Sequence, residues 1–150
     1  MSCALGFDVG SRITGVAIGN TFTASARALA TVAVRDGAPD WPALDALQRE
    51  WQPASLVVGL PLTLDGGEQP ASRRARRFAE QLQARYGTPA MLMDERHSSQ
   101  EAARRFAAAR ATGQKRRRDG AAIDAVAAAV ILERWLALPA PLSTTDNATP

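Results

Sequence analysis

The chain is short of the side chains on which most small-protein chemistry depends. Cys3 is the only cysteine and His97 the only histidine in 150 residues. An intramolecular disulfide is therefore excluded, as are zinc sites built from four cysteines or from two cysteines and two histidines. No apolar run approaches the roughly 18 residues of a membrane span. No signal peptide precedes the first strand-like segment. These absences predict a cytoplasmic protein with no membrane partner. Lysine is scarce as well: Lys115 is the only one among 18 basic residues, and the others are arginine. The net charge is +3 and the isoelectric point lies near 10.0. Such a surplus permits a polyanionic partner without demanding one. The arginine bias suits phosphate recognition, because a guanidinium pairs bidentately with phosphate oxygens. It also accompanies a general enrichment in alanine and glycine.

A chain of this length can bury roughly 70% of its unfolded surface in one core. Residues 1–138 are predicted to form a single domain. The segment 139–150 has almost no large apolar residues and is predicted to be a disordered tail. Residues 3–10 (CALGFDVG) alternate as a strand, with Leu5, Phe7 and Val9 on one face and Ala4, Gly6 and Asp8 on the other. Two further strands are predicted over 14–20 and 26–34, joined by short turns at Gly10-Ser11-Arg12 and Asn20-Thr21. Asp40 is placed to cap a helix over 41–51 that Pro53 ends. Residues 55–60 (SLVVGL) form a short apolar run, as in a strand buried on both faces. A glycine-containing loop, 61–70, leads to a helix over 71–86 and a fifth strand over 90–94. Ser98 and Glu101 form a capping box for a helix that leaves at Gly113. Residues 114–119 (QKRRRD) make a charged loop before a last helix, about 120–138, with an apolar stripe of Ile123, Val126, Ala127, Val130 and Ile131. An antiparallel meander followed by right-handed crossovers predicts an α/β fold with a mixed five-stranded sheet, order 3-2-1-4-5, and flanking helices.

Four acidic residues sit where rigid elements can aim them. Asp8 lies late in the first strand, Asp94 and Glu95 end the fifth, and Asp124 lies in the early turns of the last helix. Carboxylates from separated elements are what a hard cation needs, since Mg²⁺ takes oxygen ligands together with substrate phosphate. Each also has a plainer reading. Asp124 suits a helix N-terminus whatever else it does, Asp94-Glu95-Arg96 can be a solvated strand end, and Asp8 can accept from the glycine turn that follows. For phosphate contact, Arg73, Arg76 and Arg77 share a helical face. Lys115, Arg116, Arg117 and Arg118 form a basic loop just before the helix that carries Asp124.

Four blocks in order, FDVGSRITGVAIGN (7–20), VVGLPLTLDGGEQP (57–70), MDERHSSQEA (93–102) and IDAVAAAVILERWL (123–136), resemble the YqgF/RuvX family, known both as Holliday junction resolvases and as pre-16S rRNA nucleases. The resemblance covers nearly all the chain before the tail. It implies a ribonuclease H-like fold and a metal-dependent nuclease acting on structured nucleic acid with Mg²⁺ or Mn²⁺. It also implies that Asp8, Glu95 and Asp124 are the catalytic and metal-holding carboxylates. Asp94 and Arg96 flank the glutamate of the family's Asp-Glu-Arg motif. The loop with Asp65, Gly66, Gly67 and Gln69 resembles the substrate-side loop. His97 departs from the apolar residue common in the family, and Ser99 from the commoner threonine; His97 is read as a bystander. Arg96 and Lys115 to Arg118 are the expected nucleic-acid contacts. Processing of the 5′ end of pre-16S rRNA in ribosome biogenesis is the favoured role. A Holliday junction resolvase or a catalytically silent nucleic-acid-binding module are the alternatives. A monomer or weak homodimer is expected. Asp8-Val9-Gly10-Ser11 with Gly15 is also similar to the first phosphate loop of the actin and sugar-kinase superfamily, but those proteins enclose nucleotide between two such domains.

In a 3-2-1-4-5 sheet the fifth strand stands two places from the first, roughly 10 Å away. Glu95 then needs a long reach to meet Asp8.

Overall fold

The computed structural model describes residues 2–95 and 122–138. Six strands form one sheet: β1 (Cys3–Val9), β2 (Ile13–Asn20), β3 (Ser25–Arg35), β4 (Ala38–Pro39), β5 (Ser55–Leu60) and β6 (Ala90–Asp94). Their order is β4-β3-β2-β1-β5-β6. β1, β2, β3 and β4 are paired antiparallel, whereas β5 and β6 run parallel to β1. The expected order stands, with one correction. A sixth strand, the two-residue β4, extends the β3 edge through a turn at Asp36 (φ 53) and Gly37 (φ 79). Two successive positive φ angles give a turn whose twist matches that of a hairpin, and Asp-Gly is a sequence suited to it. The six-stranded sheet and its helices form a mixed α/β fold.

Helices α1 (Trp41–Trp51) and α2 (Pro70–Tyr86) cover one face. The Asp40 carboxylate accepts from Ala43 N at 3.2 Å and caps α1, as expected, an interaction typically worth about 1 kcal/mol. Ser72 fixes the start of α2: its buried hydroxyl donates to the Pro61 carbonyl and accepts from Gln69 N at 3.0 Å. Leu5, Phe7, Val16, Leu56 and Val58 point into this layer and meet Leu44, Phe78 and Leu82. The Phe7 and Phe78 rings meet edge to face at 5.3 Å. Farther along, Asp45 accepts from Arg85 at 2.8 Å and from the Tyr86 hydroxyl at 2.6 Å, tying α1 to the end of α2.

The opposite face belongs to α3 (Ala122–Leu136). Here the strands present their smallest residues, and the helix comes down almost onto the backbone. A Cβ added at Gly6 would stand 2.9 Å from Leu132 Cβ, and one at Gly15 would stand 1.9 Å from the Asp124 carbonyl oxygen. The buried residues of α3 packed into the sheet include Ala128, Ala129, Ile131 and Leu132, with Trp135 and Leu136 partly buried beside them. The predicted stripe is therefore rotated: Ile123, Val126, Ala127 and Val130 form a separate small cluster, and only Ile131 of the stripe faces the sheet. Alanine carries little weight in an apolar pattern, but it is what lets a helix settle on glycine.

The predicted helix opening at Ser98, the charged loop 114–119, His97 and the tail 139–150 lie outside the described residues. Among the described residues no helix is long and apolar enough to cross a membrane.

Candidate active site

The β1 alternation carries Asp8 to the α3 face, at the carboxyl end of the strand. Its neighbour on β2 is Gly15, with which it is directly paired. Because Gly15 has no side chain, the first turn of α3 descends onto it and brings Asp124 beside Asp8. On the other flank, Gly59 lies one step past the last β1–β5 pair, Phe7 with Val58. A Cβ at Gly59 would sit 3.1 Å from both Cδ and Oε1 of Glu95. The Glu95 side chain thus lies back across β5, through the gap that Gly59 leaves. Its own backbone is held in place by a bond from Glu95 N to Leu60 O of 3.1 Å. A glycine on each side of Asp8 clears the way for one carboxylate from each side. This is how Glu95 bridges the two-strand separation from β1.

Asp8 and Glu95 are hydrogen-bonded to each other, and both are half-buried. Desolvation, the larger cause, raises the Asp8 pKa; the charge of Asp124 raises it further, against the opposing pull of the hydrogen bond with Glu95. Glu95 is raised by burial first, then by the charge of Asp8, their hydrogen bond and the charge of Asp94. Two carboxylates in contact and partly desolvated cannot both ionise cheaply, so they titrate as a pair. Asp124 is raised too, by burial. Among the described residues, no arginine, lysine or histidine acts on these three acids.

Of the sequence-predicted residues, Asp8, Glu95 and Asp124 come together. Asp94 acts on Glu95 through its charge. Asp65 does not join them: its carboxylate accepts from Thr63 Oγ1 and from Gly67 N at 3.2 Å, within its own exposed turn. Arg96 and Lys115 to Arg118 lie outside the described residues. Arg76 is turned to Glu68, with which it pairs at 2.6 Å. Sequence reasoning missed Gly15 and Gly59 as parts of the site. Their signal is a glycine inside a strand, which marks a close approach of some other group.

An oxygen-only, acid-rich donor set fits a hard divalent cation and no softer metal. Among the described residues no three acidic, histidine or cysteine side chains form a ready-made cage.

A family model described as RuvX, Holliday junction resolvase, matches residues 2–138. A protein of Xanthomonas campestris pv. campestris (strain B100) is 60% identical over 135 residues, covering 90% of this chain and 87% of the relative. One of Xanthomonas oryzae pv. oryzae (strain PXO99A) is 61% identical over the same span. Both carry the provisional name pre-16S rRNA nuclease. Among solved structures, Thermus thermophilus RuvC bound to a Holliday junction substrate aligns with a TM-score of 0.52 at 16% identity, covering 91% of this chain and 94% of that one. Thermus thermophilus RuvC alone aligns with a TM-score of 0.51, also at 16% identity. The fold is thus that of the RuvC-like ribonuclease H group, and the match along residues 2–138 makes this chain a member of the RuvX family.

Proposed function

We propose that this protein is a divalent-cation-dependent endonuclease that trims the 5′ end of the 16S rRNA precursor, with Asp8, Glu95 and Asp124 as its catalytic carboxylates. One observation carries the reading: a half-buried, hydrogen-bonded Asp8–Glu95 pair with Asp124 at its side, gathered by two glycines at the carboxyl end of β1. A protein gains no stability from collecting three partly buried acids. Such a cluster makes sense as a place for a cation and a phosphate.

Asp8 is the central group. It stands on a strand paired on both sides, so its position is set by the sheet. Glu95 and Asp124 flank it from two different elements, the end of β6 and the first turn of α3. With Asp8 they would hold Mg²⁺ or Mn²⁺. Bound there, the cation supplies Lewis-acid polarisation of the scissile phosphate and lowers the pKa of an attacking water. The three carboxylates would hold the ion, and Asp8 and Glu95, whose pKa values are raised, must be ionised to do so. Arg96 and the basic run Lys115 to Arg118 are assigned to the phosphates flanking the cleaved bond.

The substrate class follows the names of the 60%-identical relatives, which favour RNA. The likeness to RuvC bears on fold. Resolving a four-way junction requires paired cuts and hence normally a two-fold dimer, whereas trimming a precursor suits a monomer.

The test offers purified protein a pre-16S rRNA fragment and a four-way DNA junction, each with Mg²⁺ and with Mn²⁺, and maps the cuts. Asp8→Asn, Glu95→Gln and Asp124→Asn each keep shape and remove a negative charge. Each is expected to lower the cleavage rate at least a hundredfold, equivalent to about 3 kcal/mol of transition-state stabilisation. Metal-free stability should be kept or improved. A rate within a few-fold of the parent for Asp8→Asn would end this reading.

A further inference from the structure

Arg73, Arg76 and Arg77 share the α2 face expected to meet phosphate, but Arg76 is occupied by Glu68. Arg74 takes its place: together with Arg73 and Arg77 it lines a groove of about 340 Å³ that also reaches Ser11 in the β1–β2 turn and Gly37 in the β3–β4 turn. Arg74 is half-buried there, with Arg73 and Arg77 exposed. None of the three has an ion-pair partner among the described residues. Glu68 feels the charge of Arg73, but its carboxylate is already engaged by Arg76.

Arg74, half-buried and with no acid paired to it among the described residues, presents a charge that a phosphate can meet bidentately. A second observation points the same way. A small hollow behind the groove shares Arg74, Arg77 and Gly37 and reaches Thr14. Thr14 is 1% exposed, and its Oγ1 has no hydrogen-bond partner among the described residues. Three cationic side chains, two hydroxyl residues and an open turn therefore face one channel, and no acidic side chain lines it.

Its place in the fold gives the channel a use. Asp8 faces α3, while Val9, next along β1, faces α2 and lines the hollow. Ser11 is three residues on from Asp8, at most roughly 10 Å of extended chain. A strand whose phosphate lies at the carboxylates needs only to cross the β1–β2 turn to enter the arginine groove.

We propose that Arg73, Arg74 and Arg77, with Ser11, form a phosphate-binding groove that grips the sugar-phosphate backbone of the nucleic-acid substrate on the far side of the β1–β2 turn from the carboxylates. This rests on the nuclease reading above and adds a second contact region to it. The recognition is of phosphate, hence independent of base sequence.

The test measures binding of a fluorescent RNA hairpin with a single-stranded flank, in chelator so that nothing is cut, across a salt series. The variant is Arg74→Gln with Arg77→Gln. The charge-matched control is Arg27→Gln with Arg49→Gln, which lie away from the groove. Each lost phosphate contact lowers the slope of log affinity against log salt by about 0.7 to 0.9. The groove variant should therefore lose about 1.5 in slope and bind roughly 25- to 60-fold more weakly near 0.1 M salt. The Michaelis constant for cleavage should rise by a similar factor. The control should keep the parent slope. An unchanged slope in the groove variant, or an equal loss in the control, overturns the groove. Cleavage that survives Asp8→Asn overturns the nuclease site and leaves the binding comparison standing; a parent that binds no RNA overturns both. If the double variant melts early, Arg77→Gln alone decides, since exposed substitutions rarely move stability by more than about 0.5 kcal/mol.

Discussion

A single methyl group at Gly59 tests the geometry of the site more sharply than removal of any carboxylate. In Gly59→Ala the new Cβ would stand 2.5 Å from Ile131 Cδ1 and 3.1 Å from Cδ and Oε1 of Glu95. Comfortable carbon–carbon contact is about 3.5–4.0 Å, so Ile131 must retreat by about 1 Å and the Glu95 carboxylate by several tenths. Ile131 is fully buried. Its displacement is an overpacking, which typically costs about 1–3 kcal/mol. Glu95 has more freedom and moves at smaller cost, but in doing so leaves Asp8. A misplacement of about 1 Å at a catalytic group can cost roughly a hundredfold in rate. The expected outcome is a folded protein, somewhat less stable, with cleavage reduced roughly ten- to a hundredfold and weakened Mg²⁺ binding by calorimetry. Gly15→Ala provides the contrast. Its Cβ would lie 1.9 Å from a backbone oxygen, which cannot swing aside, so that variant should lose stability before it loses chemistry. Parent-like cleavage and cation affinity in a folded Gly59→Ala protein would refute the account of how Glu95 reaches Asp8.

Cleavage should require Mg²⁺ or Mn²⁺ and stop in EDTA; full activity in a chelator, with no metal found by elemental analysis, would remove the cation from the mechanism. Replacing Lys115, Arg116, Arg117 and Arg118 together by glutamine should weaken RNA binding similarly across sequences and reduce its salt slope, and an unchanged slope would make this segment a solvated loop. Metal-free protein should lose stability as pH rises from the ordinary carboxylate range toward neutrality. Asp8 and Glu95 have raised pKa values when folded, so between the ordinary carboxylate range near pH 4 and those raised values the folded state binds more protons than the unfolded one. Stability then falls as pH rises through that window. The melting temperature should drop toward neutral pH, recover on adding Mg²⁺, and vary less with pH in Asp8→Asn; a metal-free melting temperature that rises over the same range would contradict the raised carboxylate pKa values.

Much of the fold was legible because it follows from periodicities. Alternation in β1 separated Leu5 and Phe7 from Ala4 and Asp8, and the two sets indeed face different helix layers. The apolar run in β5 signalled a strand covered on both faces, and it is covered by α2 on one side and α3 on the other. β4 was missed because two residues carry no period; its only signal was the turn, Asp36-Gly37, and Pro39 argued against a strand. The rotation of α3 escaped for a different reason. Hydrophobic patterning weights residues by size, and the α3 face on the sheet includes Ala128 and Ala129, buried because of what the sheet lacks at Gly6 and Gly15.

That asymmetry also explains how much of the site could be read. The three carboxylates were each identifiable from the ends of their elements and from the family resemblance, yet the sequence alone left a gap of two strands between Glu95 and Asp8. What closes it is an absence. Gly59 sits inside SLVVGL, a segment that reads as a core strand, and its lack of a side chain there looks like a weakness. In the folded chain that lack is the passage for Glu95, and the same lack at Gly15 is the seat for the turn that carries Asp124. Both glycines neighbour Asp8, one on each side, so the strand that carries the central acid is bordered by the two positions where nothing obstructs its partners. A strand glycine beside an acidic residue on the adjoining strand, with a further acid two strands or one helix away, is therefore a pattern worth reading as a site before a structure is available. The stability forgone at two strand positions, together with that of the unfavourable acid cluster, is what the rest of the core must offset.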